Sequence, residues 1–129
     1  MIAIDSSAIM AILYNEPEAT RLRETLKHAG DALISAANVL ELQLVIAGVR
    51  SRAGWDQVEA VLGAYHIAIR SFDEQQLRVA REAVVRFGKG HHKSALNFGD
   101  CFAYALAKSE DIPLLCTGTD FAATDVAIA

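Results

Sequence analysis

Residues 96–108, Leu-Asn-Phe-Gly-Asp-Cys-Phe-Ala-Tyr-Ala-Leu-Ala-Lys, constrain the fold more than any other segment of the chain. A small polar break at Asn97 and Gly99 leads to one carboxylate, Asp100, and then to a helical stretch with almost no polar face. A helix that is apolar nearly all round has to be buried, so the fold must supply packing partners on every side of it. Taken alone, Asp100 reads as an N-cap accepting hydrogen bonds from the free N–H groups of the first turn. Its meaning depends on what else the fold brings to that helix end.

The rest of the chain alternates. Short β-type apolar runs fall at residues 1–4, 31–35, 67–69 and 112–116, with a possible edge strand at 126–128. Between them lie helical patterns at residues 8–13, from Pro17 to Gly30, 37–49, 55–65 and 74–87, followed by the buried helix from Asp100. Strands alternating with helices predict an α/β fold with a mostly parallel sheet covered on both faces. No repeat or interdomain linker interrupts residues 1–129, which read as a single domain. Ligands of such sheets bind beyond the carboxyl ends of the strands, where the topology switches direction.

That rule turns scattered acids into a candidate site. Asp5 ends the first strand, Asp120 follows the fourth, Asp100 opens its helix, and Glu41 lies in the first turns of the helix after the second strand. Clustered carboxylates stay ionised only when cations neutralise them. An all-oxygen set without His or Cys selects hard ions, so Mg²⁺ or Mn²⁺ is expected. A water on such an ion is a nucleophile for a phosphodiester. The simpler reading makes Asp5 and Asp120 helix caps. It fits Glu41 less well, because a helix so apolar should bury that carboxylate. Ser6 and Ser7 read as caps, and no Gly-x-Ser-x-Gly elbow supports a serine hydrolase. No glycine-rich phosphate loop is present.

Charge needs placing before it informs. The 12 basic and 16 acidic side chains sum to −4, which by itself argues against a nucleic-acid partner. Yet Arg78, Arg81, Arg86, Lys89 and Lys93 fall in one stretch opposed only by Glu82, with His91 and His92 among them. A basic lip beside an acidic pocket produces a negative total; a solvated helix face and loop is the plainer account of the same run. Cys101 and Cys116 lie in apolar segments without metal-ligand spacing and read as buried reduced thiols. No apolar run approaches the ~18 residues that span a bilayer. The opening Met-Ile-Ala-Ile-Asp lacks a secretory pattern. A cytoplasmic protein is expected.

The sets Ile4-Asp5-Ser6-Ser7, Ala37-Asn38-Val39-Leu40-Glu41, residues 96–107 and Gly118-Thr119-Asp120-Phe121 resemble PIN-domain ribonucleases, most of all the VapC-type toxins of bacterial toxin–antitoxin pairs. The resemblance runs end to end. It implies a three-layer α/β/α sandwich, Mg²⁺ or Mn²⁺ held by Asp5, Glu41, Asp100 and Asp120, and Ser7 as a supporting hydrogen-bonder. It further implies RNA as substrate, a homodimer, and a VapB-type antitoxin in the acidic groove. Arg78, Arg81, Arg86, Lys89 and Lys93 are then candidates for RNA backbone contacts. Thr119 and Gly118 depart from the pattern where relatives carry Asn or Asp, so the fourth corner rests on Asp120, with Asp125 as a distant reserve. Two rivals remain: a catalytically weak module that binds RNA or a partner protein, and a phosphoryl-transfer domain on a similar sheet. The second usually wants an acid two residues after the first, where this chain has Ser7.

Overall fold

The computed structural model describes residues 1–46, 52–90 and 94–129. Its order is β1 (Ile2–Ile4), α1 (Ser6–Leu13), α2 (Ala19–Ala29), β2 (Ala32–Ser35), α3 (Ala36–Val45), α4 (Arg52–Ala64), β3 (Ile67–Arg70), α5 (Glu74–Phe87), α6 (Phe98–Glu110) and β4 (Leu114–Leu115). All pairings are parallel, in the spatial order β3-β2-β1-β4.

The two central strands are apolar but for Ser35, the N-cap of α3, because both faces are covered. Side chains alternate between layers as the pleat demands. Ile2, Ile4, Ala32, Ile34 and Leu115 pack with α1, α2, α3 and α4, whereas Ala3, Leu33 and Leu114 pack with α5 and α6. The chain first winds β1 to β3 outward on one side, then crosses back to place β4 on the other flank of β1. The switch point therefore lies between the C-terminal ends of β1 and β4. The expected three-layer sandwich is what forms.

Helix α6 is buried from Gly99 to Ala107 apart from Phe102, and Ala103, Ala105 and Ala107 let it lie close on the sheet. It begins earlier than the sequence pattern indicates. Asn97 is the N-cap, accepting from Asp100 N at 2.9 Å, while Asp100 accepts in return from Asn97 N at 2.9 Å. Asp100 thus stands at the third helical position of a capping box. Two strand expectations shrink. The fourth strand keeps only Leu114–Leu115, and 126–128 reduces to one bridge at Ile128, because only Ala127 O and Ala129 N reach Leu114. The predicted helix over 37–49 is α3 as far as Val45; residues 47–51 lie outside the described residues. Among the described residues no helix is long and apolar enough to cross a membrane.

Candidate active site

Asp5 is the first residue beyond β1 and is 3 % exposed. It caps α1, accepting from Ser7 N at 3.0 Å through Oδ2, while its Oδ1 has no hydrogen-bond partner. Burial, opposed by the Ser7 bonds and reinforced by the charges of Asp100 and Glu41, pushes its pKa up to about 6. Ser7 Oγ in turn accepts from Thr117 N at 3.1 Å, pinning the end of β1 to the end of β4 across the switch point.

Glu41 sits one helical turn after Asn38, so the two side chains share a face of α3. Asn38 is fully buried and donates to Glu41 Oε1 at 3.1 Å and to Gly99 O at 3.0 Å, joining α3 to the start of α6. Ser6 Oγ donates to the same Oε1. The carboxylate is half-buried, less enclosed than its apolar helix suggests. Its Oε2 presses on Gly99 so closely that a methyl group there would fall 1.7 Å away. A side chain at that position would have to displace the Glu41 carboxylate.

Asp100 is 8 % exposed, and burial raises its pKa, with the charges of Asp120 and Glu41 adding to the rise against the Asn97 N–H bond. Asp120 is exposed, in irregular chain entered through Gly118 at φ 73°, a left-handed turn that glycine adopts freely. It caps no helix. Asp125, the reserve ligand, is removed from the acidic set: it accepts from Tyr104 Oη at 2.6 Å and pairs with Lys108 at 3.3 Å and Arg86 at 3.4 Å, so its oxygens are already taken.

At the sheet edge Asp100 feels the charges of Glu41 and Asp120, and Asp5 feels those of Glu41 and Asp100, so the four acids are linked through Asp100. Among the described residues, no ion pair joins a cation to any of the four. The donor chemistry, oxygen only, and the orphaned buried Oδ1 of Asp5 fit a hard divalent cation. As the side chains stand, no three of the described His, Cys, Asp or Glu residues are grouped to close around an ion. Glu41 Oε1 already accepts from Ser6 and Asn38.

Residues 2–127 match the PIN domain family. The chain belongs to the PIN-domain family. This PIN domain is 40 % identical to a Ribonuclease VapC of Mycolicibacterium smegmatis, over 96 % of each chain. It is 38 % identical to Ribonuclease VapC30 of Mycobacterium tuberculosis, over 96 % of this chain and 95 % of that one. Among solved structures it resembles VapC20 of Mycobacterium tuberculosis, a sarcin–ricin-loop-cleaving toxin, with TM-score 0.75 at 16 % identity over 100 % of this chain and 98 % of the other. It also resembles VapBC2 of Rickettsia felis bound to a promoter DNA fragment, with TM-score 0.76 at 15 % identity over 99 % and 96 %. The last two likenesses speak for the fold.

The described basic side chains of this run have different surroundings. Arg78 is exposed and lies 3.8 Å from Glu74. Arg81 and Lys89 line an apolar groove of about 1050 Å³ between α5 and α6, with Phe72, Val84, Phe98 and Phe102. Arg86 is committed to Asp125 and stacks over Phe87 at 4.6 Å. Lys93, with His91 and His92, lies outside the described residues. Trp55 is exposed, whereas Tyr65 packs half-buried against the core. Sequence reasoning misses the partners of Glu41, taking Ser6 for a cap and giving Asn38 no role. The i, i+3 spacing of Asn38 and Glu41 is the signal that could have found them.

Proposed function

We propose that this PIN domain is a divalent-metal-dependent endoribonuclease that acts as the toxin of a VapBC-type pair. The observation that carries the reading is Asp5: a buried carboxylate with one unpartnered oxygen, facing Glu41 and Asp100 at the topological switch. Oδ2 caps α1, but the buried, unpartnered Oδ1 beside two other acids raises the cost of charge beyond what a cap needs. The relatives named as VapC ribonucleases support the substrate class.

Asp5, Asp100 and Asp120 would hold the ion, and Glu41 would serve as a further ligand or orient the attacking water. When bound, Mg²⁺ or Mn²⁺ supplies charge neutralisation and polarises water and a phosphodiester oxygen. Ser6 and Asn38 occupy Glu41 Oε1, which leaves Oε2 to accept a proton from that water. The water oxygen would bond to phosphorus as its proton passes to Glu41, the bond to the leaving ribose oxygen would break, and that oxygen would take a proton from solvent. Ser7 supports Asp5 and fixes the β4 end. Arg78, Arg81, Arg86, Lys89 and Lys93 are assigned to the RNA backbone, Arg86 in competition with its bond to Asp125. A VapB-type antitoxin covers the acidic groove, and a second copy of the chain completes a homodimer through the exposed apolar side chains of α3, α5 and α6. Addition of EDTA, and separately Asp100→Asn, should each abolish cleavage of RNA by the purified chain. Undiminished cleavage by Asp100→Asn would overturn the mechanism.

A further inference from the structure

Asp120 has to stand beside Asp100 if the two are to share an ion, yet it lies exposed in irregular chain. What holds it there is visible on α6. Asp100, Tyr104 and Lys108 are spaced i, i+4 and i+8 and run down one face of that helix. The segment after β4 follows the same face. Asp120 is within electrostatic range of Asp100, and Asp125 meets Tyr104 and Lys108 one and two turns further on. Arg86 reaches Asp125 from α5 at 3.4 Å and closes its third side.

Between the two carboxylates the chain is folded tightly on itself. Ala122 N donates to Thr119 O at 3.1 Å and Thr124 N to Phe121 O at 3.0 Å, while Thr124 Oγ1 donates to Phe121 O at 2.7 Å. Phe121, next to Asp120, is 2 % exposed and plugged into the α5–α6 core. These bonds, with the buried Phe121 between them, tie the Asp120 end of the segment to the Asp125 end. The Tyr104 ring would pack against Phe87, 5.8 Å between centroids, whether or not it carried a hydroxyl. The hydroxyl, inside an apolar layer, has Asp125 as its acceptor. A phenol placed there serves the loop.

We propose that Tyr104 and Asp125 form a strap that positions Asp120 against Asp100 and thereby sets the affinity of the acidic set for its ion. Both are positioning residues. The inference rests on Asp120 belonging to the metal-binding set, and its test separates the two claims. Mn²⁺ binding to the purified full chain is measured by calorimetry in the absence of RNA, with thermal unfolding followed in parallel. Tyr104→Phe should weaken Mn²⁺ binding about tenfold, the scale of losing a supporting partner behind metal ligands, while the variant stays folded well above the assay temperature. Asp125→Asn should weaken it similarly, and Arg86→Ala less. For Tyr104→Phe and Asp125→Asn the Mn²⁺ concentration for half-maximal RNA cleavage should rise in step, with the rate at saturating Mn²⁺ within about twofold of the unsubstituted chain, as for a loss in ion binding alone. Unchanged Mn²⁺ affinity in both Tyr104→Phe and Asp125→Asn, with Asp120→Asn binding weakly, overturns the strap and leaves the site reading intact. Unchanged affinity in Asp120→Asn overturns the assignment of Asp120 itself.

Discussion

Asp5 and Asp125 are aspartates of one small fold placed in opposite circumstances. Asp125 lies exposed and has a phenol, an ammonium and a guanidinium around it, led by the Tyr104 hydrogen bond, which holds its carboxyl below the usual range. Asp5 is buried, receives one backbone N–H, and faces two other acids; burial first, then those charges, push its pKa up to about 6. The fold has cations at hand and spends three contacts on the carboxylate that needs them least. A carboxylate that serves architecture is given partners from the chain. Under the proposed function, Asp5 is left with an oxygen for a partner from outside it.

The largest effect that would sharpen this contrast is on activity. Asp5→Asn should lower RNA cleavage by about three orders of magnitude or more, as removal of a group acting only with its ion does. The same change should raise the melting temperature of the metal-free chain, since the costly charge is gone. A metal-free Asp5→Asn chain that melts earlier than its parent would break the comparison.

Next in size is the response to pH. Asp5 has a folded pKa of about 6 against 3.8 for the unconstrained group. Between those values the folded chain binds the extra proton, so its stability falls as pH rises through the window, by about 3 kcal/mol at most for this group. Asp125 acts with the opposite sign: its contribution is present above the ordinary carboxylate range and is lost as pH falls through its depressed value. Chemical denaturation of the metal-free chain from about pH 4 to about pH 7 should show the Asp5 loss, and saturating Mn²⁺ should restore it. A chain equally stable at both ends without metal contradicts the assignment.

Asp125→Asn should cost about 1–2 kcal/mol of stability, the scale of a hydrogen bond to a charged group, read as a drop of roughly 4 °C in melting temperature. This is the reverse of the Asp5 result. Smallest are the effects at the basic lip. Arg78→Ala or Arg81→Ala should weaken RNA binding a few-fold and lower the salt dependence of binding by about one phosphate contact each. Binding that is insensitive to salt would remove these residues from the interface.

Much of this contrast is legible in the sequence. The strand ends and helix starts place Asp5, Asp100 and Glu41 on one edge, because the parallel topology leaves few places for them. What the sequence hides is partnership. Asp100 and Asn97 compete for the role of cap, and only the backbone shows that Asn97 holds it and that Asp100 answers from the third position. Asp125 looks like a spare ligand until α5 and α6 are packed and Tyr104, Arg86 and Lys108 are seen around it. Asp120 and Phe121 are adjacent, yet one faces solvent and the other the core, a division that tertiary contact decides. Gly99 passes for a helix-start residue until Glu41 is found against it.

The four acids belong to four separate connections, and the first and last of them, Asp5 and Asp120, flank the switch point from near opposite ends of the sequence. A nascent chain still missing its fourth strand would therefore lack the complete proposed set, however well its earlier helices have formed. Under the proposed function, cleavage would begin only once the final crossover has closed.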